Sequence, residues 1–269
     1  MTEGILFQIN GVDFSYDKVP VLKNIDLTVK CGKFYGIMGP NGCGKTTLLD
    51  LLIGSKTPAR GVISYKGKEI RHYRRRALAR ELSLVPQEFD TGFGFTVEEI
   101  VMMGRHPYIE RFGSPSKRDY HCVEKALELI NICELRNRYI SSLSGGQKQR
   151  AIVARALAQQ TPVLLFDEAT SSLDIKFSLH IFNIGQQLVK DEGKTIIAVI
   201  HDLNLAAAYC DDMIFMKNGT IRRVGPTKEV FNPETISDIF NIKTNVAQNP
   251  FNDKLQVSFQ YTMEKQSTS

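Results

Sequence analysis

The chain has 269 residues, 42% hydrophobic and 23% charged, which suits a soluble globular protein of one or two domains. Its net charge of +5 is only mildly basic and gives no reason to expect nucleic acid as a partner. The longest apolar runs, 163–166 and 196–200, fall far short of the roughly 20 residues that a membrane-spanning helix needs.

In chain order, the first part reads as strands. Residues 7–14 and 21–29 alternate apolar and polar side chains, with breaks expected at Asn10-Gly11 and Asp17-Lys18. Residues 34–38 form a buried strand that runs directly into Gly39, and a helix is expected over 46–53. Residues 62–70 read as a hairpin turning at Lys66-Gly67. The basic run Arg71-His72-Tyr73-Arg74-Arg75-Arg76, with Arg80 beyond it, reads as the solvated face of a short helix.

A short strand at 82–85 stops at Pro86. Helical periodicity then dominates, over 97–103, 117–131 and 147–158. Residues 163–166 and 195–200 are continuous apolar strands of the kind covered on both faces in a parallel sheet, with a helix between them over 175–189. Residues 212–216 and 220–224 flank Asn218-Gly219, a hairpin signal. Asn232-Pro233-Glu234 opens a helix to about Phe240, and a terminal strand is expected near 245–258. The order implies an α/β protein with an antiparallel β subdomain and an α-helical insert at about 88–161 that interrupts one core. The domain is expected over 4–258, followed by a polar tail at 259–269.

Cysteines stand at 31, 43, 122, 133 and 210, an odd number without any Cys-x-x-Cys pair. That argues against a disulfide framework or structural zinc and fits reduced thiols. Residues 1–10 lack the charged and apolar regions of a signal peptide, so a cytoplasmic protein is expected.

Three motifs carry chemistry. Gly39-Pro40-Asn41-Gly42-Cys43-Gly44-Lys45-Thr46 matches G-x-x-x-x-G-K-[ST], between a strand and a helix. Glycines let successive backbone N–H groups turn inward around phosphate oxygens, and the helix start adds its positive dipole end. Lys45 is placed to reach the β- and γ-phosphates, and Thr46 to ligate Mg²⁺, with Thr47 next to it in the helix. Cys43 is either a thiol activated by the helix N-terminus or a small residue tolerated in a loop.

The second motif is the acidic pair Asp167-Glu168 at the carboxyl end of an apolar strand. Asp167 suits a metal held through water, and Glu168 suits a general base. The third is Leu143-Ser144-Gly145-Gly146-Gln147, where a hydroxyl and two uncrowded N–H groups open a helix. It offers a second anion site, and Ser144 also suits a helix N-cap.

Extended through Lys148-Gln149-Arg150, this third motif resembles the signature of ATP-binding cassette (ABC) ATPases, a resemblance that covers roughly residues 4–255. It implies a P-loop cassette fold, with MgATP as substrate and hydrolysis as the activity. Gln87 resembles the Q-loop glutamine that senses Mg²⁺. Ser171-Ser172-Leu173-Asp174 resembles the D-loop, and His201 the switch histidine that contacts the γ-phosphate. Tyr16 stands where the family places an aromatic ring under adenine. The resemblance also implies a head-to-tail homodimer, polytopic permease subunits and a place at the cytoplasmic face of the membrane.

His201-Asp202-Leu203 looks like importer cassettes. Thr96-Val97-Glu98-Glu99-Ile100 with Gly104-Arg105-His106-Pro107-Tyr108 resembles cassettes for iron–siderophores, haem or cobalamin, which draw on an extracytoplasmic binding protein. Ala169 departs from the proline more frequent in importers, so an exporter subunit stays open. The remaining alternatives are a soluble non-transport cassette, in translation, iron–sulfur assembly or nucleic-acid repair, and a non-catalytic nucleotide-binding module, against which Lys45, Asp167, Glu168 and His201 argue.

Overall fold

A computed structural model describes residues 4–89, 94–170 and 173–260. Three sheets organise it. The first is antiparallel, built from β1 (Ile5–Tyr16), β2 (Val19–Lys30), β4 (Arg60–Tyr65) and β5 (Lys68–Glu69), in the order β2-β1-β4-β5. Between β2 and β4 come β3 (Phe34–Met38) and α1 (Lys45–Leu52). The hairpin expected at Lys66-Gly67 forms, with both residues at positive φ.

The central sheet has the order β10-β9-β3-β8-β7-β6. Short α2 (Arg75–Leu78) precedes β6 (Leu82–Val85). Three helices then intervene, α3 (Val97–Met103), α4 (Lys117–Leu129) and α5 (Gly145–Ala158). The chain returns through β7 (Val163–Asp167), α6 (Ile175–Glu192), β8 (Thr195–Val199), α7 (Leu203–Tyr209), β9 (Asp212–Lys217) and β10 (Thr220–Pro226). Strands β6, β7, β8, β3 and β9 are parallel, and β10 closes the edge antiparallel. After α8 (Thr227–Val230) and α9 (Pro233–Phe240), β11 (Thr244–Gln248) and β12 (Leu255–Phe259) pair as a small hairpin.

Strand periodicity divides the interior into two cores. Successive side chains of a strand point to opposite faces. Tyr35, Ile37, Leu165, Ile197 and Val199 therefore face α1 and the antiparallel sheet. Phe34, Met38, Leu164, Phe166, Ile196 and Ala198 face α6 and the inserted helices. All residues of β3, β7 and β8 are buried, because helices or the other sheet cover both faces.

Two expectations are corrected. Asn10-Gly11 does not break the first strand. Gly11, at φ +55°, forms an irregularity between Ile9 and Val12, and its N–H donates to Asp26 Oδ1 at 2.7 Å. The single terminal strand expected near 245–258 is two strands, turned by 249–254, where Asn249 and Asn252 side chains accept backbone N–H groups. The basic run is exposed at a short helix, as expected, and two arginines also hold a neighbouring segment. Arg76 donates to the carbonyls of Pro107 at 2.8 Å and Ile109 at 2.5 Å, and Arg80 donates to Pro107 at 2.9 Å. These guanidiniums clamp the segment after α3 to the helix before β6.

The inserted helices are tied down by one buried ion pair. Arg105 Nε lies 2.9 Å from Asp119 Oδ1, with both side chains under 10% exposed. Arg105 also donates to the Ala158 carbonyl at 2.8 Å and lies 4.0 Å from the centre of the Tyr108 ring. Asp119 in turn caps α4, accepting from Ser116 N–H and Oγ–H. Gly104 stands where α3 meets α5. A Cβ there would lie 2.2 Å from the Arg155 carbonyl oxygen, so only glycine allows the approach.

Candidate nucleotide site

Strand β3 delivers the chain to the loop 39–44 at its carboxyl end, and α1 leaves from it. Gly44, at φ +100°, makes this turn, and a Cβ there would meet Leu22 at 2.5 Å. Lys45 folds back over the loop and donates to the carbonyls of Gly39 at 2.9 Å and Pro40 at 3.0 Å. Two of its three N–H donors thus hold the loop that its charge serves.

Two strands away, β7 ends in Asp167, which accepts from Thr46 Oγ1 at 3.1 Å. Asp167 is 4% exposed. Burial is the main cause that pushes its carboxyl up to about 6, with Glu168 and Asp50 adding to it, while the Thr46 hydrogen bond pulls the other way. Glu168 follows at φ +52°, a left-handed conformation that costs a non-glycine residue energy. That backbone turn swings its carboxylate toward two partners. Gln87 Nε2 donates to Oε2 at 3.0 Å, and His201 Nε2 lies 2.5 Å from Oε1. Contact with a carboxylate requires His201 to carry its proton on Nε2.

A cleft of about 670 Å³ joins these groups. Asn41, Gly42, Gly44, Lys45, Thr46 and Thr47 form its floor, Gln87, Glu168 and His201 one wall, and Tyr16 the far end. Gly39, Pro40 and Cys43 belong to the same loop but are not among the residues that line the cleft. Cys43 is 4% exposed, and burial raises its thiol above the ordinary range despite the opposing pull of Lys45. Of the two readings of Cys43, the unreactive small residue is the one its surroundings support.

The third motif stands apart. Ser144 caps α5, with its Oγ accepting from Gln147 N–H at 3.4 Å and Gln147 Oε1 accepting from Ser144 N–H at 3.1 Å. Ser144 and Gly145 are exposed, and Gly146 is half-buried. None of the four lines the cleft of its own chain. Asp174 caps α6, accepting from Phe177 N–H at 2.9 Å. Leu173 borders a smaller depression beside Glu168 and His201, whereas Ser171 and Ser172 lie outside the described residues.

One connection was not foreseen from the sequence. Gln149 is buried, and its Nε2 donates to the Ala169 carbonyl at 3.1 Å. It joins the helix of the third motif to the residue after Glu168. A buried amide on a helix face is a sequence signal only once the neighbouring backbone is known.

A glycine-rich loop leading into a helix, a buried carboxylate beside the loop threonine, and an inserted helical lobe bearing a second anion motif define an ATP-binding cassette. The chain belongs to the ABC transporter family, whose model matches residues 22–171.

Among relatives, it is 36% identical over 242 residues to the cobalamin import ATP-binding protein BtuD of Halobacterium salinarum, covering 90% of this chain and 60% of that protein. It is 36% identical over 252 residues to the ferric enterobactin transport ATP-binding protein FepC of Escherichia coli, covering 93% of each. A solved structure of a putative metal-chelate type ABC transporter in an inward-facing conformation matches with a TM-score of 0.81 at 27% identity, covering 96% of this chain and 98% of that one. The dimeric ABC transporter cassette MJ0796 matches with a TM-score of 0.75 at 28% identity, covering 82% and 99%.

Proposed function

We propose that the chain, as one cassette over residues 4–258, powers import of a metal chelate of the iron–siderophore, haem or cobalamin type. The observation that carries the catalytic part is the convergence of Lys45, Thr46, Glu168, Gln87 and His201 on one cleft, with the buried Asp167 hydrogen-bonded to Thr46. Names and fold of the relatives support the cargo class.

The residues fit Mg²⁺. Thr46 hydroxyl, Asp167 carboxylate and the Gln87 amide oxygen are hard oxygen donors, and a buried carboxylate raised to about 6 is one that a cation stabilises. Bound there, the ion would neutralise charge on the β- and γ-phosphates. Loop N–H groups and Lys45 hold the phosphates, and Tyr16 offers its ring face to adenine. Glu168, oriented by Gln87 and His201, accepts the proton of the water that attacks the γ-phosphorus. ADP and inorganic phosphate result, and His201 keeps its Nε2 proton directed at Glu168 Oε1 beside the same cleft.

Ser144, Gly145, Gly146 and Gln147 face outward from their own cleft, which supports a head-to-tail homodimer in which they close over the partner's ATP. Asp174 lies near that same interface in this arrangement. A groove of about 880 Å³, floored by Phe95, Met102, Met103, Pro107 and Ile109, suits a helix of the permease at the cytoplasmic face of the membrane. A cargo-binding protein on the other side of the membrane would deliver the chelate to that permease.

The test is Glu168→Gln in the purified chain with its permease. It should bind ATP with unchanged affinity and lose at least about 100-fold in turnover. Wild-type turnover would refute the role of Glu168. Crosslinks placed at Met102 or Met103 should reach the permease, and failure to reach any membrane subunit would refute the docking surface.

A further inference from the structure

The Tyr16 ring is held from two sides by groups that the catalytic reading leaves unused. Phe14 meets it edge-on, with ring centres 5.0 Å apart and planes at 86°. Lys56 places its ammonium 5.0 Å from the centre of the Tyr16 ring. The ring itself is 44% exposed and borders the cleft. Lys56 does not border that cleft. It lines a separate depression between α1, β4 and α2.

Lys56 is not a loose surface lysine. Its ammonium lies 3.6 Å from Asp50 Oδ2, on the last turn of α1. Asp50 is fixed in turn by Ser55, whose single Oγ–H is shared between Asp50 Oδ1 at 3.0 Å and the Asp50 carbonyl at 2.9 Å. Backbone N–H groups of Ser55 and Lys56 also donate to that carbonyl, at 3.0 and 3.3 Å. A continuous chain of contacts therefore runs from the phosphate-binding helix through Asp50 and Lys56 to the aromatic ring.

We propose that Lys56 is a positioning residue for the purine of ATP, acting through Tyr16. The inference rests on Tyr16 being the platform for adenine. An aromatic face carries negative potential, and a cation on one face is attracted to it. The same cation withdraws electron density from the ring, which lowers its repulsion with a purine stacked on the opposite face. It also holds the ring in place before the nucleotide arrives, so less ordering remains to be done on binding. Asp50 gives the device its register, because it ties the height of the ring to the helix whose N-terminus takes the phosphates.

The purified full chain and its variants Lys56→Met, Lys56→Arg, Tyr16→Ala and the double variant Tyr16→Ala with Lys56→Met test this. Methionine keeps the length and packing of the side chain and removes the charge. ATP and ADP should bind Lys56→Met about two- to fivefold more weakly, as expected for one exposed cation–ring contact. Lys56→Arg should bind as the wild type does. In steady state the change should appear in KM, with kcat within twofold.

Inorganic tripolyphosphate, which lacks a base, should bind Lys56→Met and wild type equally. On the Tyr16→Ala background, Lys56→Met should add no further loss. If tripolyphosphate weakens in parallel with ATP, or the double variant is additive, Lys56 acts on the loop or the fold and the inference is overturned. ATP affinity unchanged in Lys56→Met, with Tyr16→Ala weakened, overturns the inference and leaves the adenine platform standing. ATP affinity unchanged in Tyr16→Ala removes the platform and the inference with it.

Discussion

Asp167 gives the sharpest quantitative prediction. Its carboxyl is buried, and its affinity for a proton rises from an ordinary 3.8 to about 6. At about 1.4 kcal/mol for each tenfold change, holding this carboxylate ionised costs the metal-free protein about 3 kcal/mol. The folded value lies above the unfolded one. The folded state therefore binds the proton more tightly, and stability falls as pH rises from about 4 to about 6, staying low above that.

Asp167→Asn keeps an acceptor for Thr46 Oγ1 and removes the charge. In a chelator, without nucleotide, the variant should exceed wild type by about 3 kcal/mol at pH 7.5 and by only about 1 kcal/mol at pH 4.5. Urea unfolding at the two pH values measures both differences. MgATP should reverse the order at pH 7.5, since it stabilises a state with an ionised Asp167 by mass action and the variant forfeits it. A variant no more stable than wild type at pH 7.5, or an advantage that is the same at both pH values, would refute the reasoning. The sacrifice of stability is the expected mark of a site built for a cation.

Three further outcomes are expected. Asp119→Ala should cost about 3–5 kcal/mol in urea unfolding, because it leaves the Arg105 guanidinium buried without its carboxylate and uncaps α4. Burial alone would raise the Asp119 carboxyl, but hydrogen bonds from Ser116 and Arg105 outweigh it and hold it below its ordinary value, so its contribution is full above pH about 4 and fades below that. Lys45→Ala should lose ATP affinity in a binding titration without unfolding the chain, and unchanged affinity would refute its phosphate role. Cys43 should react with a thiol reagent far more slowly than a free cysteine at pH 7.5, as its raised thiol requires.

How legible the molecule was depends on the range of each signal. The glycine-rich loop, acidic strand end and helix caps are local patterns, and the structure puts Lys45 and Glu168 on one cleft, with Asp167 hydrogen-bonded to Thr46, because strand ends in a parallel sheet share an edge. Elements failed where a local rule met a tertiary contact. Asn10-Gly11 has the composition of a turn, yet pairing with β2 and β4 carries the strand through it. Arg76 and Arg80 are solvent-facing as their composition suggests, yet their N–H groups also donate to carbonyls 27 to 33 residues away, which no local pattern foretells.

Conformation at Glu168 was equally out of reach. Nothing in Asp167-Glu168-Ala169 marks the second residue for φ +52°, and a sequence rule would assign that geometry to glycine or asparagine. It persists because Asp167 is fixed by Thr46, the Ala169 carbonyl by Gln149 and the Glu168 carboxylate by Gln87 and His201. Two of these anchors, Gln87 and Gln149, border the inserted helical lobe, with Gln149 on α5 and Gln87 directly after β6. Glu168 is thereby tied, at its carboxylate and through the next carbonyl, to residues in or beside that lobe whose sequence neighbours give no hint of one another.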